Sequence, residues 1–356
     1  MSTNNDPISK RPIIPLIVNL AIPPVVREEL IEAANQDKGT EYFQKFLLGD
    51  IIFSFNQPMI AYNLALKILN DCRNADFDAF SLIHKGGIYY WIGIAAFFVR
   101  DYQTAVFFID AAVSEDLRRS YDLKNPSPAI KFLLVDGDAF GHAGKPLVEL
   151  MQAKIKVFLD LYNHIPGRNP SDRNFELEDL RKYFINNSLT NQNSHWRSLV
   201  TTFISFIIEW NDRNEYLDLR VNQGTSEPFY FHLFKGCVLF ESLLKANPTN
   251  TPPLFVKNRN GKDKPATLIN VLQFLHNDLD IPNDLPIGEN DFSSIIHDLQ
   301  ISSQDITTSI SFTGKVRNSV AHNLGWQLQF TKLDYQKLFT MIAISNIHAI
   351  AKLYIH

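Results

Sequence analysis

The amino-acid sequence predicts an all-α protein. Apolar residues recur at spacings of three and four along most of the chain beyond residue 26, which is the pattern of helices that bury one face. Phenylalanine is the favoured large apolar residue, with 27 Phe against 4 Trp and 4 Met. The phenylalanine ring fills the space between packed helices, and it carries no polar group that needs a hydrogen-bond partner. One short apolar run, Ala129–Val135, is compatible with either a strand or a buried helix end.

The same spacing predicts where each helix lies. Residues 1–11 are polar and expected to form a flexible N-terminus. Pro12–Pro24 are expected to be extended, because proline fixes its own φ and restricts the residue before it. Helices are then predicted at 27–34, 41–55, 59–72, 77–99, 102–117, 147–164, 177–186, 196–216, 229–246, 266–279, 291–300, 305–323 and 332–354.

The length of 356 residues favours two domains, since single hydrophobic cores rarely grow beyond about 250–300 residues. A long polar turn at 221–228 separates two strongly apolar helices and is the best candidate for the boundary. We therefore expect a helical domain of unknown role at about 12–222 and a second helical bundle at about 226–356.

The helices at about 41–118 are expected to form hairpins. A window of about 34 residues that starts at Gly86 resembles a single tetratricopeptide repeat, through Tyr89, Ile92, Gly93, Ala96, Tyr102, Ala105, Ile109 and Ala112. The small residues among these would let the two helices of a hairpin approach closely. The resemblance implies a surface for a protein or effector partner, and an ordinary helical bundle accounts for the pattern equally well.

Composition excludes several classes of protein. A formal net charge of −4 excludes a protein that is basic throughout and coats nucleic acid. The two cysteines, Cys72 and Cys237, are too few for a disulfide framework or a cysteine zinc site. No run reaches the ~20 apolar residues of a membrane helix. We therefore expect a cytoplasmic protein without membrane contact, metal ion or cofactor.

One group of residues, at 315–323, suits catalysis. Asn318 and His322 are four residues apart, so on a helix they share one face. The long side chain of Arg317 can bring its guanidinium beside the imidazole of His322. A helix that ends near Gly325 would place His322 at the negative end of the helix dipole, which favours the protonated imidazole.

These residue types fit the cleavage of RNA without a metal ion. His322 can take a proton from a ribose 2′-OH or deliver one to the leaving 5′-oxygen. The guanidinium of Arg317 can hold two phosphate oxygens and stabilise the charge that develops on the phosphoryl group. Asn318 can orient the imidazole or bind the phosphate. Lys315 and Asn323 are the candidate substrate-binding residues.

The string Arg-Asn-x-x-Ala-His-Asn at 317–323 resembles the Arg-x4–6-His signature of HEPN domains. An apolar helix at 229–246 and a long helix at 332–355 give the string a similar context, so the resemblance covers about 226–356. It implies an up-and-down helical bundle that dimerises and brings two copies of the motif into one cleft. Family members with the full motif are often metal-independent endoribonucleases in defence, toxin–antitoxin or RNA-processing systems.

The resemblance gives roles to two further residues. Glu241 and Lys245 look like the auxiliary Glu-x3-Lys pair of some HEPN branches. A Glu four residues before a Lys is also the commonest ion pair on helix surfaces, so both interpretations stay open.

Three functions are therefore compatible with the sequence. The first is a homodimeric endoribonuclease that acts on RNA. The second is a non-catalytic HEPN module that binds RNA or a nucleotide, and the third is a helical scaffold for protein interactions. A ribonuclease needs a positive path for its substrate, which the dimer cleft or the lysine-rich loop at 257–264 could supply. That loop could equally be an ordinary solvent-exposed loop.

Overall fold

The computed structural model describes residues 27–119, 126–136, 145–169, 171–190, 194–219, 227–257, 260–288, 291–322 and 331–355. These residues are predominantly helical, with one small two-stranded sheet, so the all-α prediction is confirmed. In the ranges that the structure describes, no helix combines the length and the apolar character that a membrane crossing needs.

The chain divides into two compact units, one up to Pro146 and the other from Leu147. This division differs from the predicted boundary at 221–228, and the predicted domains at 12–222 and 226–356 do not coincide with it. The helix before the polar turn belongs to the same unit as the helices after it. Most of that turn, residues 221–226, lies outside the described residues.

The first unit is built from eight described helices, most of them short. They are α1 (Arg27–Asn35), α2 (Gly39–Gln44), α3 (Leu48–Phe53), α4 (Pro58–Ala75), α5 (Phe77–Leu82), α6 (Gly86–Phe98), α7 (Tyr102–Arg118) and α8 (Pro128–Leu133). The run that was compatible with a strand, Ala129–Val135, is therefore mostly helix.

Two helices that the sequence predicts as continuous are broken. The predicted helix at 41–55 is interrupted at Leu47, which has a left-handed φ of 53°. The predicted helix at 77–99 is interrupted just before α6. There the buried ammonium of Lys85 donates to the carbonyl oxygens of Phe80 and Ile83, at 3.0 and 2.9 Å. A lysine that satisfies carbonyl groups at the end of α5 stabilises this break.

The helices α6 and α7 form a tight hairpin. A Cβ atom on Gly93 would lie 2.9 Å from Cγ1 of Ile109 and 3.0 Å from the carbonyl oxygen of Ala105, so a larger residue would force the helices apart. The predicted close approach at this glycine is confirmed.

The second unit is also helical. Its elements are α9 (Lys145–Asn163), which begins at the boundary, α10 (Leu177–Asp179), a π-helical turn (Leu180–Ile185), α11 (Asn186–Thr190), α12 (Ser194–Leu219), α13 (Glu227–Lys245), α14 (Leu268–Leu275), α15 (Phe292–Ile301), α16 (Ile306–His322) and α17 (Lys332–Leu353). Two short antiparallel strands, β1 (Phe255–Lys257) and β2 (Asp263–Pro265), lie between α13 and α14 in the chain, with Phe255 opposite Pro265 and Lys257 opposite Asp263.

The core of the second unit surrounds α17. The ring of Phe339 lies 5.3 Å from that of Phe158 in α9 and 4.5 Å from that of Trp210 in α12, centroid to centroid. The hydroxyl of Thr313 in α16 donates to Ser345 over 2.9 Å. Helix α12 therefore joins the same core as α16 and α17, which is why the predicted boundary after α12 does not divide the chain.

The hydrogen bonds between α13 and α17 show that these two helices run parallel. The bonded pairs follow the same order along both: His232 with Tyr335, Gly236 with Asn346, and Leu243 with Tyr354. The contacts between α12 and α17 run in the opposite order, so these helices are antiparallel: Trp196 with Tyr354, Trp210 with Phe339, and Asp218 with Lys332.

Candidate functional site

The packing of α13 against α16 brings three of the predicted site residues together. Nε of Arg317 donates to Oε2 of Glu241 over 2.9 Å, and Nζ of Lys245 donates to Oε1 of the same carboxylate over 2.6 Å. Glu241 and Lys245 are one helical turn apart on α13, whereas Arg317 comes from α16. The predicted Glu-x3-Lys pair is therefore formed, and Arg317 binds the same carboxylate.

The charges of this cluster are unevenly exposed. The side chain of Glu241 is 11% exposed, whereas those of Arg317 and Lys245 are 28% and 33% exposed. Two cations thus share one buried carboxylate, and the solvent-facing part of the cluster is positive. Guanidinium has five N–H donors, and Glu241 and Asn318 accept from Nε and Nη1. The remaining donor capacity suits an anion.

Asn318 is held between Arg317 and a neighbouring segment. Its Oδ1 accepts from Nη1 of Arg317 over 3.2 Å, and its Nδ2 donates to the carbonyl oxygen of Ile287 over 2.8 Å. Gly314, one turn earlier, lies against the same residue, because an added Cβ would come within 2.7 Å of Cγ2 of Ile287. Asn318 therefore fixes the Arg317 guanidinium and joins α16 to the segment before α15.

Lys315 points away from this cluster. Its ammonium lies 2.9 Å from Oδ2 of Asp298 in α15 and 5.2 Å from the centroid of the Phe312 ring. The lysine side chain is only 12% exposed, and its acidic partner is 40% exposed. The arrangement is an ion pair between α15 and α16 that covers an aromatic ring.

The predicted catalytic histidine lies at the end of the same helix. His322 is the last described residue of α16, one turn beyond Asn318, so its backbone lies on the predicted helix. The side chain of His322, and the whole of Asn323, lie outside the described residues.

A buried thiol lies directly beneath the cluster. Cys237 is one turn before Glu241 on α13 and is fully buried. Burial raises the pKa of this thiol, while the neighbouring Arg317 lowers it by a smaller amount. The thiol is therefore uncharged near neutral pH and contributes no charge to the cluster.

Two partners of the predicted residues have no signal in the sequence. Asp298 binds Lys315 across 17 positions of the chain, and the Ile287 carbonyl accepts from Asn318 across 31. Neither partner belongs to a motif, and a backbone carbonyl has no signature in sequence. The apolar spacing predicted the helix that carries Asp298, but it could not predict that this helix packs against α16.

In the described ranges no group of three or more His, Cys, Asp and Glu side chains is arranged to hold a metal ion. No protein-family model, curated protein or solved structure matches the chain. A function for this site must therefore be inferred from its own residues.

Proposed function

We propose that the protein is a metal-independent endoribonuclease of the HEPN type. The observation that supports this most directly is the placement of Arg317. Its guanidinium is fixed by Glu241 and Asn318, is partly exposed, and precedes His322 by little more than one helical turn. An oriented guanidinium near a histidine supplies both the charge and the proton transfer that RNA cleavage requires.

In this mechanism the ribose 2′-oxygen attacks the adjacent phosphorus while the bond from phosphorus to the 5′-oxygen breaks. The 2′-OH proton leaves to a base and the 5′-oxygen gains a proton, so the products are a 2′,3′-cyclic phosphate and a 5′-hydroxyl. His322 acts as general acid or base. Arg317 binds the non-bridging oxygens and stabilises the charge of the transition state.

The other residues of the cluster position Arg317. Glu241 binds Nε and so sets the orientation of the guanidinium, and Lys245 offsets the negative charge of Glu241. Asn318 acts on Arg317 through Nη1. Asn323, which follows His322 in the sequence, remains the candidate for a direct contact with the substrate.

We further propose that two copies of the second unit pair and form one composite cleft from two such motifs. The first unit, with its tetratricopeptide-like hairpin, would then bind the partner or effector that restrains the nuclease. A toxin or an antiviral defence effector in the cytoplasm needs such restraint.

The test is cleavage of a fluorescently labelled RNA in the presence of EDTA. We expect cleavage that persists in EDTA, leaves 2′,3′-cyclic phosphate ends, and falls at least about 100-fold in Arg317→Ala and in His322→Ala. His297→Ala is the matched control, because His297 is an exposed histidine on α15, and it should cleave normally. Cleavage that requires a metal ion, or that survives in the Arg317→Ala/His322→Ala double variant, contradicts the proposal.

One feature favours a second function, the binding of RNA or a nucleotide without cleavage. Two of the nitrogen atoms of Arg317 already donate hydrogen bonds to Glu241 and Asn318. A guanidinium bonded in this way has a structural role in addition to any role in binding. This function predicts that RNA binds, that Arg317→Ala weakens the binding, and that the RNA stays intact. Gel-shift and cleavage assays on the same samples distinguish the two functions.

A further inference from the structure

A second positively charged site lies away from the Arg317 cluster. A cavity of about 160 Å³ opens between the segment that follows α9 and the end of α17. Its lining includes Tyr162, Arg168, Asp172, Arg173, Phe175 and Lys352. The cavity is smaller than the roughly 300–1,000 Å³ of sites for drug-sized ligands, so its occupant must be small.

The segment that forms the cavity is firmly held. Asn163, at the end of α9, accepts from the backbone N–H of Phe175 over 2.8 Å and donates to the carbonyl of Phe175 over 3.1 Å. The carbonyl of Pro166 accepts from the backbone N–H of Ile306, the first residue of α16, over 3.2 Å. The backbone that surrounds the cavity is therefore fixed by hydrogen bonds within the second unit.

Arg168 is the residue of the cavity that indicates a ligand. Its guanidinium lies over the ring of Tyr162, with Cζ 5.4 Å from the centroid, and its Nη2 donates to the carbonyl of Arg173. Its Nε atom is buried and has no hydrogen-bond partner in the described part of the chain. Buried donors in folded proteins are nearly always paired, and a charged donor is especially costly to leave unpaired. An acceptor is missing at this position.

The charges around the cavity indicate what that acceptor is. Lys352 lies 2.7 Å from both Asp172 and Asp280, and Arg173 lies 2.7 Å from Asp179. These two cations have carboxylate partners, whereas Arg168 has none among the described residues. An oxyanion bound in the cavity would supply the missing negative charge, and the guanidinium of Arg168, which lines the cavity, would donate to it.

We propose that this cavity binds a small oxyanion, namely inorganic phosphate or the phosphate or carboxylate group of a small metabolite, and that Arg168 is its main ligand. Tyr162 supports the guanidinium from below. The pairing of Asp172 with Lys352 reduces the repulsion that its carboxylate would exert on the anion. The proposal does not depend on the ribonuclease activity.

The experiment measures the thermal unfolding midpoint of the full chain in phosphate, in acetate and in chloride at equal ionic strength. Phosphate at ten times its dissociation constant should raise the midpoint by about 3–5 °C over chloride. A rise with acetate but not phosphate would assign the site to carboxylates. Arg168→Gln should abolish the rise, while Arg73→Gln, which changes an exposed arginine of α4, should keep it.

Arg317→Ala separates this site from the proposed nuclease site, and should also keep the rise. The proposal is overturned if neither anion raises the midpoint above that in chloride, if Arg168→Gln keeps the full rise, or if Arg317→Ala abolishes it. Where Arg168→Gln fails to fold, the Nε–H resonance of Arg168 can be followed by NMR in the wild-type chain and assigned by its absence in Arg168→Lys. A resonance that does not move with either anion overturns the proposal as well.

Discussion

The guanidinium of Arg317 donates through Nε to the carboxylate of Glu241 over 2.9 Å, although the two residues lie 76 positions apart in the chain. This ion pair joins α13 to α16 at the level where the predicted catalytic residues begin. Because the carboxylate is mostly buried, removal of either partner leaves a poorly solvated charge or donor on the other.

The ion pair predicts a measurable coupling between the two residues. In a double-mutant cycle of Glu241→Gln and Arg317→Gln, we expect a coupling energy of about 1–2 kcal/mol in the free energy of unfolding, reduced from that of a fully buried pair because Arg317 is partly exposed. Urea unfolding of the four proteins measures it. A cycle of Glu241→Gln with Lys245→Gln should give only about 0.5 kcal/mol, as for an i, i+4 ion pair within one helix, whose flexible lysine side chain loses conformational freedom when it pairs. Equal coupling in both cycles would contradict this arrangement.

The ion pair of Lys315 predicts a small effect on function. Its ammonium is occupied by Asp298 and covers Phe312, so Lys315→Ala should change RNA cleavage by less than about twofold and stability by less than about 1 kcal/mol. Steady-state cleavage rates and urea unfolding test both. A tenfold increase in KM would instead place Lys315 at the substrate, which is the role that the sequence predicts for it.

Two buried histidines predict how stability depends on pH. Burial lowers the pKa of His232 and of His348 to about 4 in each case. Each is bonded as a neutral ring: Nε2 donates to a backbone carbonyl, of Phe206 or Leu279. Nδ1 then accepts from a tyrosine hydroxyl, of Tyr335 or Tyr162.

Between pH 6.5 and 4 the unfolded chain binds a proton at each histidine that the folded chain does not. Stability is therefore fully present above pH 6.5 and decreases as the pH falls, by about 3 kcal/mol for each histidine. Urea unfolding at pH 7, 5.5 and 4 measures this loss. His348→Gln should be less stable at pH 7 but lose less stability on acidification, whereas His297→Ala should show the wild-type slope. An unchanged slope in His348→Gln would contradict the assignment.

The close approach of α13 to α12 and α17 predicts that a larger residue at Gly236 destabilises the protein. A Cβ atom on Gly236 would lie 2.4 Å from Cζ of Phe206 and 2.6 Å from Cγ2 of Ile342. Gly236→Ala should therefore reduce the free energy of unfolding by about 1–3 kcal/mol, which urea unfolding will show. Gly288→Ala is the control, because an added Cβ there meets no atom of the described residues within 4 Å. Similar stabilities of the two variants would contradict the packing.

Apolar spacing was sufficient to predict most of the fold. The bounds of α13, α16 and α17 lie within two residues of the predicted ones, because each helix buries an apolar face in one core. Spacing could not predict the breaks at Leu47 and Lys85, since a left-handed residue and a lysine bound to carbonyls leave the apolar pattern intact. The strands β1 and β2 fell in a predicted loop, because they are short and largely exposed.

The candidate site was predictable only in part. The string at 317–323 and the Glu-x3-Lys pair were visible in the sequence, and the structure joins Arg317 to Glu241. That contact depends on how α13 packs on α16, which no local pattern specifies. The predicted domain boundary differs from the observed division for the same reason. The polar turn at 221–228 is a strong local signal, but α12 is held by contacts with α17, more than 100 positions later in the chain.

The central position of α17 also governs when the second unit can fold. Its contacts span long stretches of chain, such as the 186 positions between Tyr162 and His348. At a synthesis rate of about 5–20 residues per second, the interval between the synthesis of α9 and the synthesis of α17 is on the order of 10–40 s. During that interval the apolar faces of α9, α12 and α13 are open to chaperones. The core that supports Arg317 is complete only after residue 353 has emerged, so the proposed nuclease would be inactive until α17 has been made.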